Sequence, residues 1–389
     1  MRLTAILAAS LLASAAPALA AQATPAPAQA APAAMQHGPQ DADERGLWMQ
    51  VEDAERRLKG SNFVIRDPAL NAYVRGVFCR TVGEAECAGV RIYITRTPFF
   101  NANMAPNGMM QIWSGLFLRA RDEAQLAAVL AHEYGHYRNR HSLRLFRNIK
   151  DKTNAIAWLS FVPFGAIAQL GLIGSVFGFS REMEREADTG SVAALAASGY
   201  DPHAASQIWG QMLAEFDATA AERKRKRRKE GGLFATHPPS IERMQELKKQ
   251  AEALPAGGER RTGRAEYRAA LAPFWADFID DQIKLNDFGA TELLLGQLAS
   301  EGWTGELLFA RGELYRSRGA AGDFEKAAGF YREAIAAGAA PAEAHRGLGM
   351  ALLRSGAASE GQAALHEYLR LRPDARDKAM IATLAGGQS

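Results

Sequence analysis

The stretch DEAQLAAVLAHEYGHYRNRH, from Asp122 to His141, decides the fold. Acidic residues open it and basic residues close it, as the helix dipole prefers, so it predicts one long helix. Inside it, HEYGH places His132 and His136 four residues apart on one helical face, where both imidazoles can bind one metal ion. Zinc is the metal that this pair predicts, and Glu133 beside the first histidine is the candidate general base.

A second segment, SREMEREAD at 180–188, supplies candidates for a third metal ligand. A catalytic zinc ion takes three protein ligands and keeps a fourth position for water or substrate. Glu184 and Asp188 share a helical face, so Glu184 can bind the metal while Asp188 accepts a hydrogen bond from a ligand histidine. Glu182 and Glu186 form a rival pair, and an acid-rich face that only meets solvent is a third interpretation. Spacing alone does not choose between these possibilities.

Outside these segments the sequence predicts further helices and one small sheet. Alternating apolar residues predict strands at 90–95 and 109–113, with a Pro-Asn-Gly turn before the second. Capping residues and apolar spacing predict helices over 48–59, from Asp67-Pro68 through Val77, and over 181–199. We therefore expect a fold that is mainly α with a small β-sheet (α+β), in a domain covering 46–255.

Two stretches of this region have an unusual composition. Residues 153–180 carry no charge and are long enough to cross a bilayer. Proline and glycine interrupt them, which favours two short apolar helices, buried or in peripheral contact with a membrane, over a transmembrane hairpin. The segment 222–230, ERKRKRRKE, holds seven bases and two acids. It predicts a solvated loop, with binding to anionic lipid as the alternative.

The chain of 389 residues is 48% hydrophobic and 23% charged, which indicates a folded protein long enough for two domains. Its formal net charge is +3, and the basic residues that produce it are concentrated at 222–230. The remaining surface is not basic, so we expect no nucleic-acid partner.

The first 20 residues have the pattern of an export signal. Arg2 precedes an apolar stretch, and Ala18-Leu19-Ala20 resembles a signal-peptidase site. We expect cleavage after Ala20 rather than a membrane anchor, because the apolar stretch is shorter than a spanning helix. The Ala/Pro-rich residues 21–45 predict a disordered linker. An oxidising compartment favours a disulfide between Cys79 and Cys87 over two free thiols.

Residues 256–389 are expected to form a helical domain built from repeats. The stretches 310–315 and 347–352 align, and small and large residues follow each of them at similar intervals. This spacing is typical of tetratricopeptide helix pairs. Two repeats and a half-repeat at 286–298 are too few to be stable alone, so this domain should pack on the preceding one.

Together the motifs resemble the family of zinc metallopeptidases that includes the CaaX prenyl endopeptidases. The resemblance covers about 46–250, and the export signal with the repeat tail is most similar to its BepA-like branch. It implies a gluzincin-like metallopeptidase domain, one Zn²⁺ per chain and Glu184 as the third ligand. The segments that carry it are HEYGH, SREMEREAD, Thr236-His237-Pro238 with Arg243, and Asn101-Ala102 with Pro106 and Gly108, which is similar to the segment before the family's substrate-binding edge strand. Residues 103–105 and 107 depart from the family's usual ones.

Three residues outside the core motif have predicted roles with alternatives. Arg243 is the candidate for steadying the developing oxyanion, with a surface salt bridge as the alternative. His237 is expected to occupy the fourth zinc position at rest and to leave it when substrate binds; alternatively it only shapes the substrate cleft. His141 lies five residues after His136 and is therefore rotated away from the metal-binding face, so we expect it to be structural.

The predicted function is that of a periplasmic zinc-dependent endopeptidase. The resemblance implies misfolded or stalled envelope proteins as substrates, with the repeat domain as docking surface and outer-membrane assembly machinery as a candidate partner. The alternative is a non-enzymatic chaperone or assembly adaptor with a structural zinc. Glu133 favours the enzyme, because a structural site closed by four ligands does not need an acid beside its first histidine.

Overall fold

The structure, a computed structural model, describes residues 38–150, 179–224, 237, 240–255 and 258–386. The predicted export signal, nearly all of 153–180 and most of 222–230 lie outside these residues. The described part is mainly helical with one three-stranded sheet, which confirms the predicted α+β class. In these ranges, each helix is too short or too polar to cross a membrane.

The part of the chain before residue 255 contains the sheet and the helices that carry the motifs. Its elements, in chain order, are α1 (Ala42–Lys59), α2 (Pro68–Val82), α3 (Glu84–Cys87), β1 (Arg91–Thr95), β2 (Ala102–Met104), β3 (Met109–Trp113), α4 (Ser114–Arg119), α5 (Glu123–Arg138), α6 (His141–Lys150), α7 (Arg181–Ala197), α8 (Ala204–Glu222) and α9 (Ile241–Glu252).

Helix α1 begins at Ala42, inside the segment predicted to be a disordered linker. The Asp41 side chain accepts a hydrogen bond from the Glu44 backbone N–H, and the Glu44 carboxylate accepts one from the Gln40 backbone N–H. This reciprocal pairing satisfies backbone donors that a helix N-terminus otherwise leaves without partners. Glu44 also binds Arg140 and Arg147, which joins α1 to α6.

The sheet has the strand order β1-β3-β2, and the motif helix packs against its strand β2. Strand β1 is parallel to β3, with Ile94 opposite Ile112, and β2 is antiparallel to β3 at the sheet edge. The turn between β2 and β3 requires glycine at 108: its φ is +85°, and a Cβ there would lie 2.8 Å from the Gly89 carbonyl oxygen. Cys79 and Cys87 form the predicted disulfide between α2 and α3.

The helical tail contains two antiparallel helix pairs, where the sequence predicts two repeats. Its elements are α10 (Arg264–Leu271), a 3₁₀ turn (Ala272–Phe274), α11 (Trp275–Ile283), α12 (Phe288–Leu298), α13 (Gly305–Arg318), α14 (Asp323–Ala336), α15 (Glu343–Arg354), α16 (Ala358–Leu371) and α17 (Lys378–Leu384). The first pair is α13 with α14, and the second is α15 with α16. The fully buried Tyr331 packs against Gly312 and Gly347, so a small residue on each neighbouring helix admits one large ring.

The tail packs on the preceding part of the chain through polar as well as apolar contacts. Buried Arg119 on α4 donates to Glu215 on α8 and to Gln282 on α11. The Thr219 hydroxyl lies 2.9 Å from Asp287, which caps α12. Because buried polar groups need specific partners, these contacts define one register between α8 and the tail.

Candidate metal centre

Helix α5 carries the two motif histidines through the interior of the protein. Asp122 caps it by accepting from the Gln125 backbone N–H, and every residue from Glu123 to Tyr137 is buried. A helix surrounded in this way has few rotational or translational alternatives, since every face is in contact with other side chains. His132, Glu133 and His136, each 2% exposed, are therefore fixed by packing before any metal binds.

Close approach of α7 to α5 brings the acidic segment to the histidines. A Cβ on Gly135 would lie 3.1 Å from the Ala187 Cα, so glycine at this position allows the two backbones to come together. Ser180 caps α7 through the Met183 backbone N–H. On this helix the structure turns Glu184 and Asp188 inward, where they are 7% and 5% exposed.

Four potential ligand atoms converge between these helices: His132 Nε2, His136 Nε2, Glu184 Oε1 and His237 Nδ1. The two motif nitrogens are 3.1 Å apart, and His237 Nδ1 lies 3.2 Å from His132 Nε2 and 2.7 Å from Glu184 Oε1. Glu184 Oε1 is 3.5 Å from His136 Nε2. The structure thus brings together the three ligands predicted from the motifs and the histidine predicted to close the site.

These residues fit a single zinc ion. Zinc–nitrogen bonds of 2.0–2.1 Å give a tetrahedron whose ligand atoms are about 3.3 Å apart, and the distances between the four donors lie around that value. With neutral imidazoles, the carboxylates of Glu184 and Asp188 and the guanidinium of Arg243 leave one net negative charge in a buried site, and ionisation of Glu133 adds a second. A divalent cation neutralises that charge, whereas a buried uncompensated charge is unfavourable.

Asp188 contacts His132 on the side that faces away from the donor cluster, whereas Arg243 binds Asp188 and also places Nη2 3.2 Å from His132 Nε2. Asp188 Oδ1 lies 3.0 Å from His132 Nδ1, and Arg243 donates to both Asp188 oxygens at 2.6 and 2.7 Å. Burial alone would raise the pKa of Asp188, but Arg243 and the His132 hydrogen bond lower it to about 2. Asp188 is therefore ionised at neutral pH and accepts the Nδ1 proton of His132, which leaves Nε2 available for a metal.

Arg243 is not on the surface. Its side chain is 9% exposed, and its guanidinium stacks on Trp209 with 4.1 Å from Cζ to the ring centre. Its Nη1 forms an ion pair with Glu184 at 2.8 Å. That nitrogen has no hydrogen-bond acceptor in good geometry among the described residues, so its N–H groups remain available at the edge of the donor cluster.

Glu133 lies beside the donor cluster without a strong partner. Its Oε1 is buried, lacks a hydrogen-bond partner in the described part of the chain and is 3.7 Å from His237 Nε2. Burial, with a smaller contribution from the charge of Glu184, raises the pKa of Glu133 to about 8. A divalent cation nearby would lower it. The position combines a proton acceptor with an environment that favours proton uptake.

His141 is not one of the four donor residues, but it lies closer to the centre than the rotation of a continuous helix predicts. Helix α5 ends at Arg138, and Arg140 has a left-handed backbone with φ of 55°, so the chain turns before α6 begins. This turn brings His141 Nδ1 to 2.9 Å from His136 Nδ1. A five-residue spacing rotates a side chain off a helical face only while the helix continues, and here α5 ends before His141.

Two aromatic residues of the centre were not predicted from the sequence. Phe179 stacks on the His136 ring at 4.1 Å and tilts against His237 at 5.2 Å. Trp209, on α8, contacts Arg243 and lies 6.0 Å from the His132 ring. Both come from segments that carry no metal-binding pattern. They exclude water from two sides of the donor cluster, which strengthens the electrostatic interactions inside it.

A centre in which one buried helix supplies two histidines and an acid, and a second helix supplies a glutamate, is the arrangement typical of zinc metallopeptidases. Comparison with known sequences agrees: residues 68–251, just under half of the chain, match the model of peptidase family M48. It is 29% identical over 215 residues to a putative beta-barrel assembly-enhancing protease of Vibrio cholerae, an alignment covering 51% of this chain and 43% of the relative.

Two further relatives carry related names. The beta-barrel assembly-enhancing protease of Escherichia coli K12 is 27% identical over 228 residues, which are 54% of this chain and 45% of that protein. The mitochondrial metalloendopeptidase OMA1 of Schizosaccharomyces pombe is 30% identical over 187 residues, 45% of this chain and 51% of the relative. The chain thus spans about half the length of the curated relatives it matches.

Proposed function

We propose that this protein is a periplasmic zinc-dependent endopeptidase that hydrolyses peptide bonds of misfolded or stalled envelope proteins. The observation that carries the proposal is Glu133, a buried carboxylate beside the four-donor cluster with an oxygen that has no hydrogen-bond partner among the described residues. A buried group without a hydrogen-bond partner destabilises the folded protein. A functional role therefore explains an acid at this position better than a contribution to stability does. General-base catalysis is the task that its place beside the metal site suits.

In this proposal His132, His136 and Glu184 are the zinc ligands. Zinc, when bound, polarises the scissile carbonyl and makes a water at the site more acidic. Glu133 accepts the proton of the attacking water and delivers it to the leaving amine nitrogen. Asp188 maintains the orientation of His132 through its Nδ1 proton. The N–H groups of Arg243 Nη1 donate hydrogen bonds to the substrate carbonyl oxygen as negative charge develops on that oxygen.

His237 is proposed to close the site at rest. It supplies the fourth donor, Nδ1, and is 2% exposed. A fourth protein ligand excludes the water that the reaction needs, so substrate must displace His237 for catalysis to begin. The same four-donor set also suits the alternative function, a chaperone or adaptor with a structural zinc, since structural sites are closed by four ligands.

Proteolysis of an unfolded protein such as casein distinguishes the two functions. The zinc-loaded protein should cleave casein, and a chelator should stop the reaction. Glu133→Gln should retain one zinc per chain, measured by elemental analysis, and lose cleavage by about 10²- to 10⁴-fold, because the ligands remain while the base is absent. Equal cleavage by the wild type and this variant would contradict the catalytic assignment. A wild type without chelator-sensitive cleavage would favour the structural alternative.

His237→Ala separates the two roles of that histidine. If His237 blocks the resting site, the variant should cleave casein faster than the wild type, because water reaches the fourth position without displacement of a ligand. If His237 only shapes the cleft, cleavage should fall through an increase in KM. Zinc content should be measured in parallel, because a fall in both zinc and activity would show instead that the histidine is needed for metal retention.

The substrate class and location rest on the relatives and on the leader sequence. The names of two relatives refer to beta-barrel assembly, and this chain combines a similar peptidase region with an export pattern at residues 1–20. We therefore infer outer-membrane assembly machinery as a partner of the helical tail at 256–389. Crosslinking in the periplasm with probes on exposed tail residues such as Trp303 should capture an outer-membrane assembly component. Crosslinks to cytoplasmic proteins alone would contradict the location.

A further inference from the structure

The second motif histidine is connected to a carboxylate through another imidazole. His136 directs Nε2 into the donor cluster, 3.1 Å from His132 Nε2, while its Nδ1 lies 2.9 Å from His141 Nδ1. On its other side, His141 Nε2 lies 2.9 Å from Glu186 Oε2. Arg144 contacts the same Glu186 oxygen at 3.1 Å. A continuous line of hydrogen-bonding atoms therefore runs from the donor cluster to the partly exposed Glu186.

The positions of the protons in this line follow from metal binding. A histidine that gives its Nε2 lone pair to a metal must carry its proton on Nδ1. His136 then donates from Nδ1, so His141 must accept at its own Nδ1 and carry its proton on Nε2. The Nε2–H group of His141 in turn donates to the Glu186 carboxylate. One arrangement of protons satisfies all three groups, and Glu186 determines its direction because an ionised carboxylate can only accept.

We propose that His141 and Glu186 are positioning residues of the metal centre, which select the Nδ1–H tautomer of His136 and orient its ring for zinc. The inference rests on the proposed zinc site but not on proteolysis. It gives each motif histidine its own carboxylate: Asp188 acts on His132 directly, and Glu186 acts on His136 through His141. Outer hydrogen bonds of this kind raise the basicity of ligand imidazoles and restrict their rotation.

The geometry around His141 suits this role. His141 is fully buried, and the left-handed turn at Arg140 places it at the first position of α6, next to His136. The rings of His136 and His141 meet edge to face with centres 4.9 Å apart, while Phe179 stacks on the His136 ring. The His136 ring is thus confined on its face by Phe179 and at Nδ1 by His141, so only Nε2 is left to face the metal.

The test is the zinc affinity of matched variants, measured by competition with a chromogenic chelator. His141→Leu removes the acceptor, whereas His141→Asn is smaller than histidine but can place its amide oxygen, an acceptor, near the position of Nδ1. We expect the leucine variant to bind zinc about 10- to 100-fold more weakly than the wild type. The asparagine variant should recover most of that loss. His203→Leu is the control, because His203 also contacts a carboxylate, Asp201 at 3.0 Å, but lies outside the donor cluster.

Two substitutions of Glu186 provide a second matched pair of variants, and neither disturbs the core. Its side chain is 37% exposed, so Glu186→Leu and Glu186→Gln should both fold even if the His141 variants do not. The glutamine variant retains an acceptor for His141 and should bind zinc nearly as well as the wild type, whereas the leucine variant should bind more weakly, with a smaller loss than His141→Leu because it acts through one more group.

The outcomes separate a positioning role from a structural one. If His141 only fills space, Leu and Asn variants should have equal zinc affinity, and any difference should appear in the melting temperature of the metal-free protein. Equal affinities within each pair would overturn the proposal. Affinity that depends on the retained acceptor supports it, whether or not casein is cleaved, so failure of the endopeptidase proposal would be recognised separately.

Discussion

Gly289 is the position at which contact between the helical tail and the preceding part of the chain can be tested most directly. It lies in the first turn of α12, against the end of α8, and a Cβ there would lie 2.8 Å from the Ala218 carbonyl carbon and 2.9 Å from the Glu222 Cβ. Carbon atoms normally pack about 3.5–4.0 Å apart, so Gly289→Ala creates an overlap that only a shift of one backbone can relieve. Overpacking of this kind costs about 1–3 kcal/mol.

Gly296→Ala on the same helix is the matched control. Among the described residues, no atom outside the backbone of its own helix lies within 4 Å of a Cβ at Gly296, so this change should raise the free energy of unfolding by about 0.5–1 kcal/mol through helix propensity. Because both changes replace glycine by alanine on the same helix, the propensity gain largely cancels, and the two variants should differ by about 1–3 kcal/mol. Equilibrium urea unfolding of the full chain, followed by far-UV circular dichroism, measures the difference. If Gly289→Ala is as stable as Gly296→Ala, α8 and α12 do not make this contact and the reasoning fails.

Two further changes test the peptidase region. Asp188→Asn removes the charge that fixes the His132 tautomer and should weaken zinc binding by about 10- to 100-fold; an unchanged chelator-competition curve would refute this. The second change, at Glu123, tests stability against acid. Burial alone would raise the pKa of Glu123, but hydrogen bonds from Tyr200, Arg261 and Tyr73 lower this pKa below the ordinary value. Its stabilising effect is therefore complete above about pH 4.3 and is lost as the pH falls through the lowered pKa. Glu123→Gln should be less stable than the wild type by about 1.5–3 kcal/mol at pH 7, and in urea unfolding this gap should close on acidification; a gap that persists at low pH would contradict the assignment.

Local sequence signals predicted elements whose ends are set by neighbouring residues. Asp67 and Pro68 begin α2 as expected, and Met109–Trp113 is the strand that the alternating pattern indicated. Such signals work because caps, turns and side-chain periodicity act within one or two turns of chain. The same locality explains why the structure differs from the prediction at α1. The capping pair Asp41 and Glu44 lies just inside a segment whose overall composition predicted disorder.

Some features of the metal centre are determined by the sequence, and others are decided only by the tertiary structure. The spacing of His132 and His136 by itself determined that one helix presents two imidazoles to one ion, because a helix repeats every 3.6 residues. Spacing says which residues share a face but not where that face points. Only packing decided that α7 directs Glu184, rather than Glu182 or Glu186, to the donors, since the Gly135–Ala187 contact sets how the helix lies on α5.

Long-range and irregular contacts were decided by the tertiary structure alone. His237 and Arg243 reach the centre from more than 100 residues beyond His132, a separation over which no periodic pattern carries information. His141 returns to His136 because the backbone leaves the helix at Arg140, against the rotation that a continuous helix would impose. The sequence determined the ligand chemistry through short-range geometry, and the fold decided the surroundings of the ligands because those depend on how distant segments pack.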